Sequence, residues 1–256
     1  MPTLSTIYRK LKRSLARRGA AGTVKVAVTD LADWADLQWR RARAESGGRR
    51  FDRRYGVDTA GIIPASQLDL PASQRADASN YQPIAPFNLQ AIVRRLAIDC
   101  EITTFIDLGA GKGRALLLAA MLPFRRVVGV ELSARLAVLA RANARRFTTR
   151  ATVCSPVEVV QGNATDHVFP DGPLVVFLYN PFTRRVMERV AANLVAAHGA
   201  QARRVVVVYF VPVWADVWDN VEFLECKINR RDLRVYDSGV ADASPAGGHA
   251  GDGRRS

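Results

Sequence analysis

Three closely spaced glycines, one carboxylate before them and one about twenty residues after them are the residues of this chain best suited to hold a small molecule. They stand in Asp107-Leu108-Gly109-Ala110-Gly111-Lys112-Gly113 and in Val127-Val128-Gly129-Val130-Glu131. A short apolar run leads into the glycines and an amphipathic stretch, Ala115 to Leu122, comes at once after them, which predicts strand, tight turn and helix. Glycines tolerate positive φ, and without a Cβ they let a bound molecule approach the backbone. The free N–H groups and positive dipole end of the next helix gather at the same point. Glu131 ends the second apolar run, where a carboxylate accepts hydrogen bonds from two neighbouring hydroxyls at once. The simpler readings are a glycine turn without a ligand, and a Glu that starts the next helix with Leu132 and Ser133.

The spacing narrows the chemistry. A phosphate-cradling G-x-x-x-x-G-K-[ST] loop is excluded, because Arg114 follows Gly113. The dinucleotide pattern G-x-G-x-x-G is excluded too, because the third glycine comes one residue early. What remains resembles the D-x-G-x-G-x-G motif of the class I S-adenosylmethionine (SAM) methyltransferases, and the resemblance spans about residues 81–235. It implies SAM as cofactor, with Asp107, Gly109, Ala110, Gly111 and Gly113 among its binding residues and Glu131 on its ribose.

Three further stretches extend the resemblance. Tyr81-Gln82-Pro83 is similar to the Y-x-P loop of the non-SET protein lysine methyltransferases, which implies that Tyr81 closes over the methionine end of the cofactor. Gln161-Gly162-Asn163-Ala164 stands where family members often carry Asp for the adenine amino group. Here Asn163 beside Ala164 takes that place through its amide oxygen, with Asp166 as the fallback. Leu178-Tyr179-Asn180-Pro181-Phe182 resembles the [DNS]-P-P-[YF] motif of amino-directed nucleic-acid methyltransferases, one proline short. Non-SET lysine methyltransferases also place an Asn with a nearby Phe here. Either likeness implies that Asn180 orients a nitrogen nucleophile and Phe182 walls the site, with Tyr179 joining the cofactor set. The competing reading is an Asn-Pro pair that only ends a strand. In-line methyl transfer to nitrogen rests on alignment in a dry site. No general base is evident among His167, His198 and His249.

Composition bounds the partners. The chain has 256 residues, is 48% hydrophobic and carries a formal charge of +13. Residues 1–54 hold fourteen Lys and Arg against five Asp and Glu, so +9 of that charge lies in the first fifth. Such a segment suits nucleic acid, an anionic membrane surface or an acidic partner, or serves solubility alone. Cys100, Cys154 and Cys226 show no paired spacing, which argues against a disulfide framework or a zinc site and fits a reducing cytoplasm. No run reaches the ~18 apolar residues of a membrane span, and no signal-peptide core follows the basic start.

The elements that must position these residues follow from periodicity. Basic helices are expected over 3–18 and 24–44, the second ended by Gly47-Gly48-Arg49-Arg50. The expected organisation is a basic helical extension (1–50), an irregular cap or linker (51–80), a methyltransferase domain (81–238) and a disordered tail (239–256). Phe51-Asp52-Arg53-Arg54-Tyr55-Gly56-Val57-Asp58-Thr59 reads as a cap over the cleft, and the Pro- and Ser-rich 64–80 as a mobile stretch. A helix runs from Tyr81-Gln82-Pro83 to about Ala97. Strands are expected near 104–108, 126–131, 157–161, 173–179, 204–211, 221–227 and 232–238, with helices near 112–122, 133–147 and 183–198. The fold class is α/β: a Rossmann-like, seven-stranded, mostly parallel sheet with an antiparallel edge hairpin.

The expected protein is a cytoplasmic SAM-dependent methyltransferase. Its acceptor is an amino nitrogen of a protein or small molecule. The alternatives are a nucleic-acid methyltransferase using the basic N-terminus, and a non-enzymatic module that binds SAM.

Overall fold

A computed structural model of the chain describes residues 46–84, 88–147, 153 and 157–239. The expected helices over 3–18 and 24–44, the tail and Cys154 lie outside the described residues. The chain divides into two compact units, Met1–Gly47 and Gly48–Ser256, and the second contains the whole sheet.

Continuous β-branched and apolar runs make strands buried on both faces, as a sheet covered by helices requires. Thr104–Leu108 (β1) and Val205–Phe210 (β5) are buried at every position. Arg126–Glu131 (β2) and Leu174–Tyr179 (β4) are buried at all but one. With Val157–Gln161 (β3), Glu225–Arg230 (β6) and Leu233–Asp237 (β7) they form one sheet in the order β3-β2-β1-β4-β5-β7-β6. β3 through β5 run parallel, and β7 runs antiparallel to both β5 and β6. The α/β sheet with its antiparallel edge hairpin is the architecture the sequence predicts.

Alternate residues of each strand feed two cores. Phe105, Val127, Phe177 and Val208 pack on one face with Leu116 and Leu117 of helix α4 (Arg114–Ala120). Ile106, Val128, Val176 and Val207 pack on the other with Met187 and Val190 of α6 (Arg184–Ala200). Helix α5 (Ala134–Phe147) covers the β2 and β3 side. Strand order reverses between β1 and β4, both paired to neighbours on opposite sides, and that reversal opens a crevice at the carboxyl ends of the strands.

Several boundaries differ from expectation for identifiable reasons. Residues 46–55 are helical (α1), so Gly47-Gly48 does not end a helix there. Gly48 lies 3.2 Å, at the position of an added Cβ, from the Arg114 guanidinium, so that close packing is what the glycine allows. The segment 64–80 carries a 3₁₀ turn, Ala65–Gln67, and a short helix α2, Ala72–Arg75. Its Leu68 and Leu70 are buried with Tyr81 and Leu136, so apolar anchors fix a stretch whose Pro and Ser content suggests mobility. The helix after Pro83 is described over Asn88–Arg95 (α3) and ends short of Ala97. The sixth strand starts at Glu225, because Val221 and Leu224 are drawn into the core beside Trp218 of a short helix α7, Ala215–Asp219.

Candidate active site

The crevice is built on β1. Asp107 pairs in register with Gly129 of β2 and Phe177 of β4, so its side chain emerges at the strand-order reversal. It is 3% exposed and lines the cleft, and no donor among the described residues reaches its carboxylate. Burial, reinforced by the Glu131 charge, pushes this carboxyl well above its ordinary value. A buried, donor-less acid facing an open cleft is a stored demand for a cationic or hydrogen-bonding ligand.

Glu131 ends β2 and turns its carboxylate to the glycine turn. Oε2 accepts from Gly111 N–H at 2.7 Å and Oε1 from Ser133 N–H at 2.8 Å. Each oxygen keeps a second lone pair toward the cleft. Burial raises this carboxyl and the two N–H bonds oppose the rise. The helix cap belongs to Ser133, whose hydroxyl oxygen accepts from Leu136 N–H at 3.1 Å, while Asp69 accepts from Arg135 N–H at 2.9 Å. Thus the helix-start reading of Glu131-Leu132-Ser133 applies to Ser133, and Glu131 faces the cleft.

The glycine turn differs in one respect from what its sequence suggests. Its amides are not bare. Gly109 and Ala110 N–H both donate to Val130 O, at 2.9 and 3.0 Å, Gly111 N–H donates to Glu131 and Gly113 N–H to Ala110 O at 2.8 Å. The glycines make room for the protein's own side chains as well. At Gly109 an added Cβ would stand 2.6 Å from Pro181 Cβ, and at Gly111 it would collide with the Tyr81 ring. Both residues hold positive φ, +86° and +57°. The turn therefore offers close approach beside Tyr81 and Pro181 rather than a nest of free donors. Gly113, also in the left-handed region, is the N-cap of α4 and does not line the cleft.

The other predicted residues divide. Tyr81, Ala110, Asn163, Ala164, Tyr179 and Phe182 all line the cleft. Asn163 Oδ1 also accepts from Thr165 N–H at 3.1 Å, capping the 3₁₀ turn Ala164–Asp166 and so fixing the amide at the rim. Asp166 accepts from the Thr165 hydroxyl at 3.0 Å and lies off the cleft, so it is not the fallback. Asn180 lies off this cleft as well. It holds φ +41° and faces an adjoining depression with Tyr179 and Val211. Five residues, Ala78, Ser79, Asn80, Gln82 and Tyr179, line both hollows and form the wall between them.

That wall is a strap the sequence does not announce. Ala78 bridges Phe182, Ser79 N–H donates to Pro181 O at 3.3 Å, and Thr183 N–H donates to Asp77 O at 3.3 Å. The Thr183 hydroxyl donates to Asp77 Oδ1 at 2.9 Å, and Arg185 pairs with the same carboxylate. Phe177, Leu70 and Asp77 are cleft residues that sequence reasoning passed over. Only the polar, turn-rich composition of 64–80 marks their neighbourhood, and that composition carries no spacing signal.

Among the described residues no cluster of His, Cys, Asp or Glu is placed to hold a metal, and no helix is long and apolar enough to cross a membrane.

Residues 106–195 match the family model described as a methyltransferase domain. The matched stretch runs from β1 into α6, and the sheet order and crevice are those of a Rossmann-like α/β fold. Among solved structures it is similar to an RNA methyltransferase from Salinibacter ruber solved with S-adenosyl-L-homocysteine, at 19% identity over 61% of this chain and 92% of that one, TM-score 0.41. It is also similar to magnesium protoporphyrin IX methyltransferase from Synechocystis PCC 6803 with bound SAM, at 14% identity over 59% and 77%, TM-score 0.41. A predicted N6-adenine-specific DNA methylase from Listeria monocytogenes is similar at 14% identity over 60% and 51%, TM-score 0.45. No curated protein matches the sequence significantly.

Proposed function

We propose that this cleft binds SAM and that the chain transfers a methyl group to an amino nitrogen of a protein or small molecule. The observation that carries the reading is the pair of buried carboxylates on one cleft wall, Asp107 with no donor among the described residues and Glu131 held by two backbone N–H groups. The residues fit the cofactor. Asp107 meets an ammonium group, Glu131 accepts from the two ribose hydroxyls, and Asn163 with Ala164 meets the adenine edge. Tyr81 and Phe182 bound the cleft with apolar rings that exclude water. The cofactor supplies a methyl group on a sulfonium whose leaving group is a neutral thioether.

The protein's share is alignment. The acceptor nitrogen enters from the depression beside Asn180, and the Asn180 amide oxygen takes a hydrogen bond from it so that its lone pair faces the cofactor cleft. Tyr179, common to both hollows, stands at the crossing. Among the described residues the depression is lined by no carboxylate, His or Lys, and burial raises its one titratable group, the Tyr179 hydroxyl, which suits an amine that is already neutral on arrival.

Nucleic acid is the second reading, favoured by the +9 charge of residues 1–54. Tritiated SAM incubated with cell lysate, followed by separate protease and nuclease digestion of the labelled fraction, tests the reading. Protease-sensitive or small-molecule label is the expected result, and nuclease-sensitive label establishes the second. Binding without any labelled fraction would mark a non-enzymatic module.

A further inference from the structure

Two cations at the glycine turn, Lys112 and Arg114, are both committed to partners in the chain before it. Arg114 is 2% exposed. Its Nη2 pairs with Asp52 at 3.2 Å, its Nε donates to the Thr59 hydroxyl, and its guanidinium lies 5.0 Å from the Phe51 ring centre. Lys112 Nζ donates to Asp58 at 2.8 Å and to Ala60 O at 3.0 Å. Asn143, buried in α5, completes the clamp: Oδ1 accepts from Asp58 N–H at 2.9 Å, while Nδ2 donates to Asp58 O and Lys112 O, at 2.8 and 2.9 Å. The last turn of α1 and the loop after it, residues 52–60, are thereby fastened to the glycine turn from three sides.

Within the loop, the Asp52 carboxylate accepts from Thr59 and Ala60 N–H at 2.8 and 2.6 Å and from the Thr59 hydroxyl at 2.6 Å. This fixes the direction of the Thr59 carbonyl, which accepts from the Tyr81 hydroxyl at 2.7 Å. The Tyr81 ring then lies flush against Gly111, one wall of the cofactor cleft. A continuous chain of contacts runs from Arg114 through Asp52 and Thr59 to that ring.

We propose that Arg114, Asp52 and Thr59 are positioning residues for the cofactor, acting through Tyr81 to set the width of the cleft over the glycine turn. The inference rests on the SAM-binding reading and adds the part of the chain before the methyltransferase core to the site. A carboxylate that satisfies two loop amides, a hydroxyl and a buried guanidinium at once leaves the loop one arrangement and Tyr81 one anchor.

The test compares three variants by calorimetry with S-adenosylhomocysteine and by hydrogen exchange of the cofactor-free protein. Thr59→Val removes the hydroxyl that joins Asp52 to Arg114, Thr59→Ser keeps it, and Tyr81→Phe keeps the ring but releases its anchor. Thr59→Val and Tyr81→Phe are expected to bind about tenfold more weakly, with faster exchange over residues 81–84 and 109–113. Thr59→Ser is expected to bind within about twofold of the natural chain. Equal affinity in all three, even with a lowered unfolding temperature, overturns the positioning role and leaves the network merely structural. Absence of binding by the natural chain overturns the SAM reading and this inference with it.

Discussion

Glu131 and Gly111 are joined across the floor of the cleft: the carboxylate of one accepts the backbone N–H of the other at 2.7 Å. One side chain thus ties the end of β2 to the turn after β1 and still presents lone pairs to a ligand. Glu131→Gln replaces one oxygen with an amide donor, which must face either the Gly111 or the Ser133 N–H. Affinity for SAM is expected to fall about tenfold or more, ~1.4 kcal/mol, with a loss of stability of about 1 kcal/mol for the mismatched bond. Titration calorimetry and thermal unfolding check both.

Asp107 should make the cofactor-free protein sensitive to pH. Its folded carboxyl is raised well above 3.8 by burial first and by Glu131 second. In the window above 3.8 the folded state therefore holds a proton that the unfolded state has released, and stability falls as pH rises. Asp107→Asn removes that contribution. The unfolding temperature of this variant, relative to the natural chain, is expected to rise between pH 4 and pH 8 while its SAM affinity drops at least about tenfold. A gap that stays constant across that range would falsify the titration of Asp107.

At Gly111 the side chain is forbidden twice. The residue holds φ +57° and an added Cβ meets the Tyr81 ring. Gly111→Ala is expected to cost about 1–3 kcal/mol for the backbone conformation alone, with further loss from displacing Tyr81. Gly111→Arg should abolish SAM binding. Adding Tyr81→Ala to Gly111→Ala should recover part of the stability, which a double-mutant cycle by chemical denaturation measures.

The proposed role of Asn180 must be separated from its backbone conformation. Its φ of +41° suits Asn or Gly, and it lines the depression where we propose the acceptor enters. Asn180→Ala should keep cofactor affinity and lose turnover. Asn180→Gly removes the side chain without the backbone penalty, so it should lose turnover equally and unfold near the natural temperature. Normal turnover in the glycine variant assigns Asn180 to the turn alone.

Much of this was legible because the sheet is buried on both faces. Runs such as Leu174–Tyr179 and Val205–Phe210 contain only Val, Leu and aromatic residues, a pattern that fits few other structures. Asp107 and Glu131 stood out because each is an acid at or beside the end of a buried strand. The strap and the clamp did not. Leu68, Leu70, Asp77 and Thr59 lie in irregular chain, where no period links a residue to its partner, and the Thr59–Tyr81 and Asp77–Thr183 contacts span 22 and 106 positions in sequence. The pairing of Lys112 and Arg114 was hidden for the same reason, since their acidic partners lie 54 and 62 residues earlier. The turn's free amides were a local inference, undone by Val130 O and Glu131 from the neighbouring strand.

A crystal structure of the chain with S-adenosylhomocysteine tests the central claim most directly. The nucleoside is predicted to lie in the crevice between β1 and β4, its sugar hydroxyls on Glu131 and its amino group on Asp107. A ligand seated elsewhere, or one in the crevice that touches neither carboxylate, would contradict it.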